Sequence, residues 1–251
     1  MIKNPNNQGH ASKMIVICSA KGGIGRTVLS VNLAVALSNK KYKTTLLDAC
    51  FQFGNIHLVM DLQPMFTIKD AVEQIDTLDE NLLTSYLSHH ESGVSLLSSP
   101  HKPEYADLIT IHALDQICTL LLKGSDYLVV DTNAGLPDHN LYFMERADHI
   151  LVMTDLEMTS LKNTKSILAV LDTLGLRAKV KIVVNRSTMK SLLQPKNIPQ
   201  ILEETSLLYI PNHFEVVSKS INIGVPFITY SRRTDITKSI FHIADLLSKD
   251  S

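Results

Sequence analysis

The sequence predicts an α/β fold, a single domain whose mostly parallel twisted sheet is covered by helices on both faces. Three observations carry this. Short runs rich in Val, Ile and Leu recur along the chain, apolar on both faces, as strands of a covered parallel sheet are. Segments with helical spacing separate them. A glycine-rich loop follows the first run, where parallel sheets bind ligands beyond their strand ends.

Residues 14–18 (MIVIC) read as a buried strand and residues 27–37 as the helix after it. Further strands are expected at residues 44–48, 94–97, 127–131, 150–154, 180–184 and 207–210. A helix over 161–174 places apolar residues at 161, 167, 168, 171 and 174 on one side. At the end of the chain Ile236, Ile240, Ile243, Ala244 and Leu247 share a helical face, opposite Lys238, Asp245, Lys249 and Asp250. That polar face is not basic, so packing on the core is expected rather than insertion into lipid. Residues 1–12 are polar and read as a flexible tail, leaving 13–251 as one domain without a linker or repeat.

Composition narrows the function classes. The chain has 251 residues, 45% of them hydrophobic, enough for one sizeable core. The net charge of −1 is not that of a strongly basic nucleic-acid binder. Cys18, Cys50 and Cys118 lack paired spacing, which points to a reducing cytoplasm and away from disulfides or a zinc site. The ten histidines are scattered, and no apolar run reaches the length of a membrane span.

The loop SAKGGIGRT spans residues 19–27. Gly22, Gly23 and Gly25 let the backbone turn its N–H groups inward as an anion cradle that also involves Ile24, Arg26, Thr27 and Val28. The positive end of the following helix adds to the cradle. Thr27 can offer a hydroxyl to Mg²⁺. The plain pattern G-x-x-x-x-G-K-[ST] fails twice, with Ala20 at the first glycine and Arg26 at the lysine.

Lys21, immediately before Gly-Gly, marks a deviant loop, and here the sequence resembles the ParA/MinD family of ATPases, whose loop reads K-G-G-x-G-K-[ST]. The resemblance covers residues 13 to 248. It implies ATP or ADP with Mg²⁺, and a homodimer with nucleotide at its interface, where Lys21 reaches the partner's phosphates. Asp48 ends the second strand and matches the first aspartate of the family's D-x-D, with Cys50 in place of the second. Asp131, after the apolar run 127–130, stands as the Walker B carboxylate, a Mg²⁺ ligand with Thr27 and Asp48. Gly135 matches the glycine of D-T-x-x-G, which lets the backbone approach the γ-phosphate. Asn185 and Arg186 match the strand-end pair whose asparagine reads adenine, and Pro211 a later base-side loop.

The wording Gln52-Phe53-Gly54-Asn55 resembles the pilus-assembly branch, the CpaE and TadZ type. The resemblance implies a positioning protein in the cytoplasm, recruited by a protein partner of a membrane-associated machine to the membrane's inner face or a cell pole. Lys21, Arg26, Asp48 and Cys50 would then be the catalytic positions. Arg26 keeps the charge but replaces a compact ammonium with a planar fork. Cys50 replaces a carboxylate with a poor acceptor. Slow or absent hydrolysis is therefore expected.

Two alternatives stay open: a nucleotide-binding scaffold without turnover, and a DNA-partition ATPase. Arg177, Lys179, Lys181, Arg186, Lys190 and Lys196 cluster in sequence, as do Arg232 and Arg233. At this net charge a solvated surface is favoured over a DNA track. A redox member of the nitrogenase iron-protein type is set aside, because Cys118 precedes the Walker B region by a whole helix.

Overall fold

Alternation along the first strand, β1 (Lys13–Ser19), divides the interior in two. In this computed structural model, which describes residues 12–249, Met14, Val16 and Cys18 enter one core and Ile15 and Ile17 the other. The remaining strands are β2 (Thr44–Ala49), β3 (Ser88–His89), β4 (Ser95–Leu97), β5 (Tyr127–Ala134), β6 (His149–Thr154), β7 (Val180–Val184) and β8 (Leu207–Tyr209). Their order across the sheet is β3-β4-β2-β5-β1-β6-β7-β8. All neighbours pair parallel except β3 with β4. The expected polar tail lies outside the described residues except for Ser12, whose hydroxyl donates to Leu122 O at 2.6 Å.

The helices are α1 (Arg26–Asn39), α2 (Ile56–Val59), α3 (Ile68–Glu73), α4 (Glu80–Tyr86), α5 (Ile111–Lys123), α6 (Asp138–Arg146), α7 (Met158–Thr173), α8 (Ile198–Leu202), α9 (Phe214–Ile223), α10 (Phe227–Tyr230) and α11 (Asp235–Lys249). Helices α3 to α8 cover one face of the sheet, and α1, α2, α10 and α11 the other. Every residue of α1 from Leu29 to Leu37 is buried. A helix apolar all round belongs inside, and α1 lies between the sheet and α11. Ile236, Ile240, Ile243, Ala244 and Leu247 of α11 are buried against it, as their spacing predicts. Asp250 lies outside the described residues.

Two details differ from the sequence reading. The strand expected at 94–97 begins at Ser95, and the chain reaches it through a short antiparallel strand, β3, that no apolar run announces. The basic cluster is also split. Arg177, Lys179 and Lys181 lie at the start of β7, whereas Arg186, Lys190 and Lys196 follow its end. Lys181 is itself the second residue of β7, so residues 182–185 separate the two groups and set them toward opposite ends of the strand.

Candidate functional site

Three strand ends converge on the start of α1. The loop between β1 and α1 enters the helix through Gly25, at φ 96°, a left-handed conformation that disfavours any side chain. A Cβ there would stand 2.7 Å from Asn185 Nδ2. No side chain caps α1, and its first internal bond runs from Leu29 N–H to Gly25 O at 3.0 Å. The amides of Arg26, Thr27 and Val28 therefore have no acceptor within the helix. Open space faces Gly22 and Gly23. An open cradle at an uncapped helix start suits phosphate oxygens.

Asp131 on β5 is buried beneath this loop. Its carboxylate accepts from Thr27 Oγ1 at 2.6 Å and from Ser30 Oγ at 3.0 Å. Burial raises its pKa, and the two hydroxyls and Arg26 oppose the rise. Asp48 pairs with Asp131 across the sheet. It is fully buried and accepts from the backbone N–H of Cys50 and of Ile56, both at 3.2 Å, and from Ser99 Oγ at 3.4 Å. Burial first, and then the facing Asp131, push its pKa up to about 7. Cys50 Sγ and one oxygen of each carboxylate all lie within 4.8 Å of one another. Burial and the same two carboxylates drive the Cys50 thiol well above its ordinary range, so it stays protonated. Hydroxyl and carboxylate oxygens beside an anion cradle are the donors that Mg²⁺ with a nucleotide requires, and these residues fit that pair.

The expected residues gather here, several with partners that the sequence does not disclose. Arg26 Nη1 donates to Ser19 Oγ at 2.8 Å, and Ser19 Oγ donates to Lys21 O at 2.7 Å. Gly135, at φ 84°, donates its N–H to Ser19 O at 2.8 Å and so ties the end of β5 to the loop. Lys21 is ion-paired with Glu157 and lies 4.0 Å from Asp155. The hydrogen bond from Lys21 to Glu157 is the main cause of its raised pKa. Asn185 Nδ2 donates to Ile24 O at 2.7 Å, and its Oδ1 accepts from Arg186 N–H at 2.8 Å. It therefore fastens the phosphate loop to the end of β7. One amide hydrogen and one lone pair remain for a base edge. Arg186, at φ 52°, adds a bond to Gly23 O at 3.4 Å.

A cavity of about 280 Å³ adjoins the cradle, lined by Gly25, Val28, Asn185, Pro211, Phe214 and Ile221 among others. Its apolar walls and few polar groups suit a base beside the phosphate loop. Sequence reasoning does not reach Ser19, Ser30, Ser99 or Glu157. Only Ser30 carries a signal, standing three positions after Thr27 and so on the same helical side.

A mostly parallel sheet with a glycine loop between a central strand and an uncapped helix, and buried carboxylates on the next two strands to one side, defines a P-loop nucleotide-binding protein. The ParA family model, described as NUBPL iron-transfer P-loop NTPase, matches residues 10–245. The chain belongs to this ParA/MinD family of P-loop NTPases. It is similar to an uncharacterized ATP-binding protein of Methanocaldococcus jannaschii, 30% identical over 232 residues, covering 92% of this chain and 85% of that one. The septum site-determining protein MinD of Thermotoga maritima is 24% identical over 240 residues, covering 92% of this chain and 86% of its own. The fold is shared with MinD of Pyrococcus horikoshii, solved in complex with Mg-ADP, at a TM-score of 0.82 and 21% identity, covering 95% and 96% of the two chains.

Among the described residues, no helix is long and apolar enough to cross a membrane. Asp48, Cys50 and Asp131 are also the sole group of three or more His, Cys, Asp or Glu side chains there close enough to share a cation.

Proposed function

We propose that this protein binds ATP with Mg²⁺ in the cradle of residues 22–28, dimerises over the nucleotide, and positions a membrane-associated machine of the pilus or secretion type. Recruitment from the cytoplasm to a membrane face or pole would follow from its partner. The observation that carries the reading is the uncapped start of α1 above the Thr27–Asp131 hydrogen bond of 2.6 Å. Thr27, Asp131 and Asp48 would hold Mg²⁺, whose bound charge would offset that of the phosphates. Asn185, Arg186 and Pro211 border the base. Membership of a family that includes MinD supports the positioning role, and Gln52-Phe53-Gly54-Asn55 supports the pilus branch.

Hydrolysis is weakened in this reading. Arg26 is turned back onto Ser19, and Cys50 offers a neutral thiol where water needs an acceptor. These two features also favour the second reading, a nucleotide-gated scaffold without turnover. DNA partition is disfavoured by the splitting of the basic cluster along β7.

The test is phosphate release from Mg-ATP alongside nucleotide binding. Saturable, Mg²⁺-dependent binding with slow or no release fits the proposal, and absence of binding refutes it. Thr27→Ala is expected to weaken Mg²⁺-dependent nucleotide affinity about tenfold or more, since a hydroxyl on both cation and Asp131 is lost. Isothermal titration with and without Mg²⁺ measures this, and equal affinity for both chains would count against Thr27 as a ligand. Lys21→Gln is expected to keep nucleotide binding but to weaken the ATP-dependent dimer on the order of tenfold or more, because a charge facing the partner's phosphates is removed. Sedimentation with a non-hydrolysable ATP analogue reads it, and an unchanged dimer would remove Lys21 from the interface.

A further inference from the structure

We propose that Cys50 adds a second capability to the cation site of this protein: when no nucleotide is bound, Asp48, Cys50 and Asp131 hold a thiophilic divalent ion of the Zn²⁺ class. The inference rests on the reading of Asp48 and Asp131 as cation ligands and is independent of nucleotide.

The three donors come from two neighbouring strands. Asp48 and Asp131 are register partners on β2 and β5, and Cys50 follows β2 two residues after Asp48. Their ligand atoms lie within 4.8 Å of one another. Around a tetrahedral ion, with metal–sulfur ~2.3 Å and metal–oxygen ~2.1 Å, ligand atoms stand roughly 3.5 Å apart, so no pair needs to close by more than about 1.3 Å.

Both carboxylates have capacity left. A carboxylate has about four lone-pair sites. Asp48 accepts three hydrogen bonds and keeps one site, and Asp131 accepts two and keeps two. A fourth ligand would be a water or an anion from the adjoining cradle.

The donor set chooses the ion. Mg²⁺ takes oxygen ligands in a near-ideal octahedron and gains little from sulfur, whereas Zn²⁺ and Co²⁺ bind thiolate strongly. On binding, the Sγ–H bond breaks, the proton leaves to solvent and Sγ becomes a thiolate ligand. Two carboxylates and a thiolate then carry three negative charges, and the ion supplies two positive ones. Arg26 lies close enough to Cys50 and Asp131 to act on both, and its guanidinium supplies the remaining positive charge. Arg26 in the loop and Cys50 after β2, the two departures from the family's pattern, thus complement each other around one ion.

The test uses the full-length, untagged, chelator-treated protein without nucleotide, titrated with Co²⁺. A thiolate-to-cobalt charge-transfer absorption is expected in the near ultraviolet, saturating at one ion per chain. Zn²⁺ should abolish it at equimolar amounts, and a large excess of Mg²⁺ should not. Cys50→Ser and Cys50→Asp should lack the absorption, Cys118→Ala should keep it, and Cys50→Asp should bind Zn²⁺ at least about tenfold more weakly. No absorption in the natural chain, its persistence in Cys50→Ser, or displacement by Mg²⁺ would overturn the proposal.

Should the variants fail to fold, Zn²⁺ protection of Cys50 from alkylation in the natural chain, mapped by mass spectrometry, decides the matter. Protection sustains the site and its absence overturns it. Mg²⁺-dependent ATP binding without the cobalt absorption would leave the proposed function standing and sink this inference. The absorption without ATP binding would do the reverse.

Discussion

A chain carrying Arg26→Lys and Cys50→Asp together is expected to release phosphate from Mg-ATP on the order of 10²-fold faster than the natural chain, the scale of restoring one misplaced stabilising group. Arg26 spends its guanidinium on Ser19 Oγ at 2.8 Å. A lysine ammonium at that position is a compact charge on a flexible stem and can meet the phosphates from within the loop. Aspartate at position 50 supplies the acceptor that the protonated thiol cannot. It also places a third carboxylate within reach of Asp48 and Asp131, so its stability should depend on cation more than the natural chain's does. The check is steady-state phosphate release, with melting curves in chelator and in Mg²⁺. A folded, nucleotide-binding double variant with no gain in turnover would show that these two positions do not limit hydrolysis.

Gly54→Ala is expected to destabilise the protein by about 1–3 kcal/mol and to disrupt the cation site with it. An added Cβ would overlap Ser99 Oγ and both carboxylate oxygens of Asp48. Asp48 is fully buried and holds the amides of Cys50 and Ile56, so neither it nor the loop can move without losing those bonds. Gly22→Ala is the control, because open space faces that residue and its stability should stay within about 0.5 kcal/mol. Thermal unfolding of both variants and cation titration of the first measure the effect. A Gly54→Ala protein as stable as the natural one would mean that the 50–56 loop adapts freely.

The strands and the phosphate loop were legible because their signals are local. MIVIC and YLVVD are apolar at successive positions, and the KGGIG run is contiguous. β3 was not legible, since two residues next to a turn carry no periodicity. Asp48 could be marked as a strand-end carboxylate, but not as the residue that organises the 50–56 loop, because Ser99 enters from 51 positions away. Asn185 could be placed near the base, yet its bond to Ile24 joins residues 161 positions apart.

By itself, the sequence determined the class of fold, the place of the nucleotide loop and the two unusual residues, Arg26 within it and Cys50 after the second strand. Each of these resides in consecutive residues or in the period of a single element. The tertiary structure alone decided which partners those residues have. It set Lys21 against Glu157, 136 positions on, laid Asp48 and Asp131 in register with Cys50 close to both, and sent the basic cluster toward opposite ends of β7. Strand order and register determine such pairings, and both arise from packing the whole sheet between its two helical layers.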